Sequence, residues 1–139
     1  MTDKQALIVD DDAANRSLWE LVLTEKGYKV HAAEDIATAA DQVGSNISLY
    51  LVDYHLPDGR GTDIVRNVRG KFPASIVVMV SMDDDADVIR EGIRAGGNVF
   101  MVKPTSPSVM SQLLNEIESG VLNAKARQLI NRHGRRTYA

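Results

Sequence analysis

Short apolar runs alternate along the chain with longer segments in which apolar residues recur at helical spacing. The apolar runs are rich in Val, Ile and Leu, and they occupy residues 6–10, 28–32, 49–53, 76–81 and 99–102. Three of them are nearly uninterrupted, which is typical of strands that are buried on both faces of a sheet. The alternation predicts βαβ units, and therefore an α/β fold with a doubly wound parallel sheet of five strands and helices on both faces.

The segments between the strands carry the residues that commonly begin and end helices. Helices are predicted over residues 13–26, 36–43, 62–69 and 86–95 and from Pro107 onward. Gly27 suits a left-handed C-terminal cap, and Ser106 suits an N-cap because proline follows it at the first helical position. Asp12 and Asp35 also suit N-caps, so Asp12 is interpreted as a cap rather than a ligand.

The C-terminal end of the chain allows two interpretations. The last predicted helix has a stripe of apolar residues whose spacing can be continued beyond Gly120, namely Val109, Leu113, Ile117, Val121, Leu129 and Ile130. Gly120 either bends this helix or ends it. We therefore divide the chain into one domain, residues 1–124, and a segment of residues 125–139 that is either a basic tail or an extension of the last helix.

Charge is distributed unevenly between these two parts. All 19 acidic residues precede residue 125, whereas five of the 16 lysines and arginines follow residue 124. An acidic body suits cations, and a basic tail suits an anionic partner, although a solvated and partly frayed terminus is the simpler interpretation. Nucleic-acid binding is disfavoured, because the tail offers no recognition helix and only Tyr138 as an aromatic platform.

The composition excludes several classes of site and location. The chain has no cysteine, so disulfides, thiolate metal sites and cysteine nucleophiles are excluded, and a cytoplasmic location is favoured. Residues 1–4 do not begin a signal peptide, and apolar runs such as residues 76–80 are too short to span a bilayer. Neither secretion nor membrane insertion is predicted.

Polar side chains stand where four of the predicted strands end. Asp10 and Asp11 end the first strand, Asp53 ends the third, Ser81 ends the fourth, and Lys103 follows the fifth. The carboxyl ends of parallel strands form the ligand-binding edge of such a sheet. Three carboxylates brought together repel one another and need a hard cation such as Mg²⁺, whereas a lysine and a serine hydroxyl can bind an anion.

An acid pair, a single acid, a hydroxyl and a lysine in this order resemble the receiver domain of two-component response regulators. The matching segments are LIVDDD at residues 7–12, LVDYHLPDGRG at 51–61, VVMVS at 77–81 and NVFMVKP at 98–104. The resemblance covers roughly residues 5–124. It implies a flavodoxin-like sheet with strand order 2-1-3-4-5, like that of single-domain chemotaxis regulators.

The resemblance also implies how a phosphoryl group and a metal would be held. Asp53 would accept the phosphoryl group from a histidine kinase or a histidine phosphotransfer protein. Asp11 would ligate Mg²⁺ directly and Asp10 largely through water. Asp53 and the backbone carbonyl of His55 would complete the protein ligands.

Further residues would report the phosphorylation. Lys103 would pair with the phosphoryl oxygens, and Ser81 would turn its hydroxyl toward them. Phe100 stands where the family has an aromatic residue that moves inward with that hydroxyl. Met82 replaces a residue that is usually small, so its side chain either obstructs the opening of the site or packs along the following helix.

The sequence therefore predicts a signalling phosphoacceptor, not an enzyme. It would act through phosphorylation-dependent partner binding or through a phosphorelay. One alternative is a receiver domain detached from a larger regulator with an output domain. Another is a phosphatase that works through an aspartyl phosphate, but such enzymes normally carry a second aspartate two residues after the nucleophile, where this chain has His55.

Overall fold

The computed structural model describes residues 4–138, which form a central sheet covered by five helices. The strands are β1 (Gln5–Val9), β2 (Lys29–Ala33), β3 (Leu49–Asp53), β4 (His55–Leu56), β5 (Gly59–Arg60), β6 (Ile76–Ser81), β7 (Val99–Val102), β8 (Gln128–Ile130) and β9 (Arg136–Tyr138). The helices are α1 (Ala13–Glu25), α2 (Ile36–Ala40), α3 (Thr62–Lys71), α4 (Ala86–Ala95) and α5 (Pro107–Glu118). Within this part of the chain, no helix is long and apolar enough to cross a membrane.

The five predicted strands pair in the predicted order. β2, β1, β3, β6 and β7 are neighbours in that sequence, and every pair among them is parallel. The doubly wound α/β fold is therefore confirmed. The sheet is nevertheless larger than predicted, because β8 and β9 extend it to seven strands, and β4 and β5 form a separate short hairpin.

Helices cover both faces of the sheet, as the uninterrupted apolar strands indicate. Ala6 and Ile8 of β1 pack in one core with side chains of α1 and α5. Leu7 and Val9 point the other way, into a second core with side chains of α2, α3 and α4. Alternate residues of one strand therefore pack into different cores, which is why all four residues 6–9 are apolar.

The predicted helix boundaries follow from local capping. The Asp12 carboxylate accepts hydrogen bonds from the first turn of α1, and the Asp35 carboxylate accepts one from Thr38 N at 2.8 Å. Ser106 Oγ caps α5 through Val109 N at 3.2 Å, so the three N-cap predictions are confirmed. Only α2 is clearly shorter than predicted, since it ends at Ala40.

The interpretation of residues 125–139 as an extension of the last helix is wrong. α5 ends at Glu118, and the backbone reverses at Gly120, whose φ is +81°. Leu129 and Ile130 then lie in β8, with Ile130 in the core beneath α1 and α5 and Leu129 against the opposite core. Their side chains thus alternate as in a strand. A frayed terminus is equally wrong for this segment, because Gln128 and Ile130 are buried.

Candidate functional site

Four polar residues meet where the carboxyl ends of β1, β3, β6 and β7 form one edge of the sheet. Asp10 directly follows β1, Asp53 ends β3, Ser81 ends β6 and Lys103 directly follows β7. Asp10, Asp53 and Ser81 are buried, and the Lys103 side chain is only 13% exposed. The parallel pairing of these strands is sufficient to bring residues up to 93 positions apart into contact.

Lys103 is the centre of the cluster, because its ammonium group contacts two carboxylates. Lys103 Nζ lies 2.9 Å from Asp53 Oδ2 and 3.0 Å from Asp10 Oδ2. Burial alone would lower the pKa of Lys103, but the hydrogen bond and charge of Asp53, together with Asp10, outweigh burial and raise that pKa. The ammonium group is therefore positively charged at neutral pH and stands beside the Asp53 oxygen.

Asp53 is the acid whose ionisation is most strongly affected. Burial raises the pKa of Asp53 to about 6, against the opposing effect of Lys103 and with a further contribution from the Asp10 charge. The other carboxylate oxygen of Asp53, Oδ1, accepts a hydrogen bond from His55 N at 3.3 Å. Near neutral pH this buried carboxylate is mostly ionised, but at a cost in solvation that a bound cation could relieve.

The start of α1 holds Asp10 in place. Asp12 N donates to Asp10 Oδ1 at 2.9 Å, and Asn15 Nδ2 lies 3.4 Å from Asp10 Oδ2. The Arg16 guanidinium donates to the Asp10 backbone carbonyl at 2.8 Å. Sequence reasoning missed Asn15 and Arg16, although both lie within the first turn or so of a helix that begins directly after the acid cluster.

The donor set fits a divalent cation. Asp10, Asp11 and Asp53 each offer one carboxylate oxygen, and these three oxygens lie within 4.8 Å of one another. Asp11 is exposed, so it stands at the open side of the cluster, whereas the other two carboxylates are buried. Oxygen ligands with one side open to water are the arrangement that Mg²⁺ favours.

The structure places the remaining predicted residues around this cluster. Ser81 is fully buried, and its Oγ accepts a hydrogen bond from Asp83 N at 3.0 Å. Phe100 is also fully buried, and its ring lies beside Gly92 of α4. Met82 is 76% exposed, so the alternative in which it packs along the following helix is wrong.

A second polar cluster, which sequence reasoning missed, joins the residue after Asp53 to α4. Tyr54 Oη donates to Glu91 Oε2 at 2.5 Å, and Thr62 Oγ1 lies 3.3 Å from Glu91 Oε1. The Arg60 guanidinium completes the cluster at 3.3 Å from Glu91. The hydrogen bond from Tyr54 lowers the pKa of Glu91. No local sequence signal indicates this cluster, because its four members lie in β5, in α3, in α4 and directly after β3.

Comparison with known proteins identifies the family. The sequence profile described as the response regulator receiver domain matches residues 6–115. The chain belongs to the response regulator receiver domain family. This receiver domain is 32% identical over 117 residues to the chemotaxis protein CheY of Thermotoga maritima, an alignment that covers 82% of this chain and 97% of that protein.

Several curated relatives are longer than this chain. The receiver domain is 29% identical over 115 residues to the response regulator protein PilR of Pseudomonas aeruginosa, covering 82% of this chain but 26% of PilR. It spans between 26% and 52% of the length of the first curated relatives that it matches. A solved CheY-like receiver domain from Methanospirillum hungatei JF-1 superposes with a TM-score of 0.75 at 27% identity, covering 86% of this chain and 94% of that one.

Proposed function

We propose that this receiver domain accepts a phosphoryl group on Asp53 from a phosphohistidine of a histidine kinase or a histidine phosphotransfer protein. It would then signal in the cytoplasm by binding a partner or by passing the phosphoryl group on. The observation that carries the proposal is the contact of 2.9 Å between Asp53 and Lys103, beside two further carboxylates at the ligand-binding edge of the sheet. Membership of the receiver domain family supports the same role.

The chemistry would be an in-line displacement at phosphorus. An Asp53 carboxylate oxygen forms a bond to phosphorus while the bond from phosphorus to the donor imidazole nitrogen breaks, and the imidazole takes up a proton as it leaves. Such transfers need positioning and neutralisation of charge more than covalent help from other side chains. Lys103 can supply a positive charge to the transferred oxygens, since its ammonium group already touches Asp53.

Asp10, Asp11 and Asp53 would hold Mg²⁺ in this site. When bound, the ion would neutralise the negative charge on the phosphoryl oxygens during transfer. Asp10 is pre-oriented for this role by the hydrogen bond from Asp12 N and by its pairing with Lys103. Asp11 is the exposed ligand and would be the first to meet a cation arriving from solvent.

Phosphorylation would also change what Ser81 contacts. A phosphoryl group brings about two negative charges and three strong acceptor oxygens to the place where Asp53 had one charge. The Ser81 hydroxyl is buried near the end of the strand next to Asp53 and now accepts a hydrogen bond from Asp83 N. Rotation of the Ser81 side chain toward the new acceptor would move Oγ away from Asp83 N and shift the loop before α4.

The phosphatase alternative is not favoured by the structure around Asp53. Phosphatases of this kind normally carry a second aspartate two residues after the nucleophile as general acid, and this chain has His55 there. The His55 side chain is 64% exposed, and its Nε2 lies 3.6 Å from Asp83 Oδ2. The exposed ring therefore lies beside the loop before α4.

Intact-mass spectrometry after incubation with acetyl phosphate and Mg²⁺ tests the proposal. The wild-type mass should rise by one phosphoryl group, and the rise should disappear with EDTA or with Asp53→Asn. Asp63→Asn is the matched control, because Asp63 is an exposed acid of α3 outside the cluster, and it should behave like wild type. An equal rise in Asp53→Asn, or an unchanged wild-type mass with both acetyl phosphate and phosphoramidate, would contradict the proposal.

A further inference from the structure

The C-terminal hairpin, defined as residues 128–138 with its strands β8 and β9, lies outside the part of the chain that matches the family profile. β8 pairs in parallel with β7, and β9 pairs antiparallel with β8. Without this hairpin, β7 would be the edge of the sheet and would present unpaired backbone groups. The hairpin therefore covers the edge strand that leads directly to Lys103.

The base of the hairpin is firmly attached to the domain. Asn98 is fully buried, and its side-chain amide donates to the backbone carbonyls of Ala124 at 2.9 Å and Ala126 at 3.1 Å. Gln128 N donates to the Asn98 carbonyl at 2.9 Å. These bonds fix the chain where it enters β8, so any movement of the hairpin would pivot about its base.

The turn of the hairpin contacts the loop that follows Ser81. Arg132 Nη2 lies 2.9 Å from Asp84 Oδ2. Asp84 belongs to the loop between β6 and α4, and its neighbour Asp83 donates its N–H to Ser81 Oγ at 3.0 Å. A chain of two contacts thus joins the buried Ser81 hydroxyl to the hairpin turn.

The same turn also faces the loop that follows Lys103, but this contact is loosely packed. A cavity of about 110 Å³ lies between residues 104–109 and residues 131–134. The Thr105 hydroxyl beside it is buried and has no hydrogen-bond partner among residues 4–138. The gap reduces the direct contact between the turn and this loop, so the turn is the part of the hairpin that should open first.

We propose that the C-terminal hairpin is a cover on the β7 edge whose attachment weakens when Asp53 is phosphorylated. The inference rests on the proposed phosphorylation of Asp53. As Ser81 turns toward the phosphoryl group, the loop carrying Asp84 moves away from Arg132. Lys103 exchanges Asp10 for phosphoryl oxygens, which moves the loop carrying Thr105. Both contacts of the hairpin turn are then disturbed together, and the pairing of β8 with β7 is weakened.

The coupling has to work in both directions. If phosphorylation loosens the hairpin, then loosening the hairpin must favour the phosphorylated state by the same factor in equilibrium. Arg132→Gln removes the ion pair to Asp84 while keeping a long polar side chain. Arg135→Gln is the matched control, because Arg135 is exposed in the same segment and its side chain makes no ion pair within residues 4–138.

Hydrogen–deuterium exchange of residues 128–138, measured with and without beryllofluoride and Mg²⁺, tests the inference. In wild type and in Arg135→Gln, the amides of β8 should exchange at least about fivefold faster with beryllofluoride. In Arg132→Gln the β8 amides should exchange faster than in wild type when beryllofluoride is absent, and beryllofluoride should increase their exchange rate by a smaller factor. Protein of the same preparation, free of beryllofluoride, should gain one phosphoryl group with acetyl phosphate and Mg²⁺, which shows that its Asp53 is competent.

The possible outcomes separate this inference from the proposed function. Protein that gains a phosphoryl group from acetyl phosphate, but whose β8 amides exchange no faster with beryllofluoride, would overturn the inference and leave the proposed function standing. Arg132→Gln exchanging like wild type in both states would overturn the role of the Arg132 contact with Asp84. A wild-type protein that gains no phosphoryl group would overturn the proposed function and the inference with it.

Discussion

Replacing Asp53 by asparagine should stabilise the metal-free protein at neutral pH. Asparagine has nearly the shape of a protonated aspartate but cannot ionise, so the variant avoids burying a charge. Asp53 is only 8% exposed, and burial raises its pKa to about 6 from an ordinary value of 3.8. Each pKa unit corresponds to about 1.36 kcal/mol, so a shift of this size amounts to about 3 kcal/mol.

The pH range of this effect follows from the direction of the shift. Between about pH 4 and pH 6 the folded protein binds more protons at Asp53 than the unfolded chain does. The free energy of unfolding therefore falls as the pH rises through this range, and the full cost is present at pH 7.5. We expect Asp53→Asn to gain about 1 to 3 kcal/mol at pH 7.5, because water at the open side of the site screens part of the charge.

Urea denaturation in EDTA at pH 7.5 and at pH 4.0 measures the effect. The gain of Asp53→Asn over wild type should be largest at pH 7.5 and close to zero at pH 4.0. Glu34→Gln is the control for loss of one exposed negative charge, and it should change stability by less than about 0.5 kcal/mol at either pH. A gain of equal size at both pH values, or no gain at pH 7.5, would refute the assignment of the cost to a buried charge.

Three further predictions concern residues near the site. Gly92→Ala should lower the free energy of unfolding by about 1 to 3 kcal/mol, because its Cβ would lie 2.9 Å from Phe100 Cδ2. Gly70→Ala is the control, because Gly70 lies on α3 with open space around it, and it should raise the free energy of unfolding by about 0.5 kcal/mol in the same urea titration. Equal changes in the free energy of unfolding for the two variants would contradict the close packing at Gly92. Lys103→Met should lower the free energy of unfolding of the metal-free protein by about 3 kcal/mol, because two buried carboxylates lose their positively charged partner. Mg²⁺ should restore part of this stability. A urea midpoint of the variant that does not change when Mg²⁺ is added would argue against the metal site. Met82→Ala should speed both phosphorylation by acetyl phosphate and loss of the phosphoryl group, because the exposed Met82 side chain obstructs the opening of the site. Two unchanged rates would show that the Met82 side chain does not obstruct the opening.

The central part of the fold could be predicted because its strands carry a strong signal. Runs such as residues 49–53 are apolar at every position except the last, and helices on both faces explain that pattern. The C-terminal hairpin could not be predicted in the same way. Leu129 and Ile130 continue the spacing of α5, and a strand of three residues has too few positions to distinguish the two periods. Gly134, with a φ of +78°, is a turn signal in this segment that the helical spacing does not account for.

The candidate site shows a similar division. Asp10, Asp53 and Lys103 could be placed together because the carboxyl ends of neighbouring parallel strands converge. Which of these side chains contact one another could not be predicted, because their positions are set by contacts with α1 and by burial. Glu91 could not be found from the sequence, because its contacts with Tyr54 and with Thr62 of α3 depend on how α4 packs in the folded domain.

The most direct test of the central claim identifies the phosphorylated residue itself. After incubation with acetyl phosphate and Mg²⁺, borohydride reduces an aspartyl phosphate to homoserine, and peptide sequencing by mass spectrometry locates the converted residue. The account predicts homoserine at position 53 alone, with none when Mg²⁺ is removed. Conversion at Asp10 or Asp11 instead of Asp53, or a phosphoryl group bound elsewhere in a chain with Asp53 intact, would contradict it.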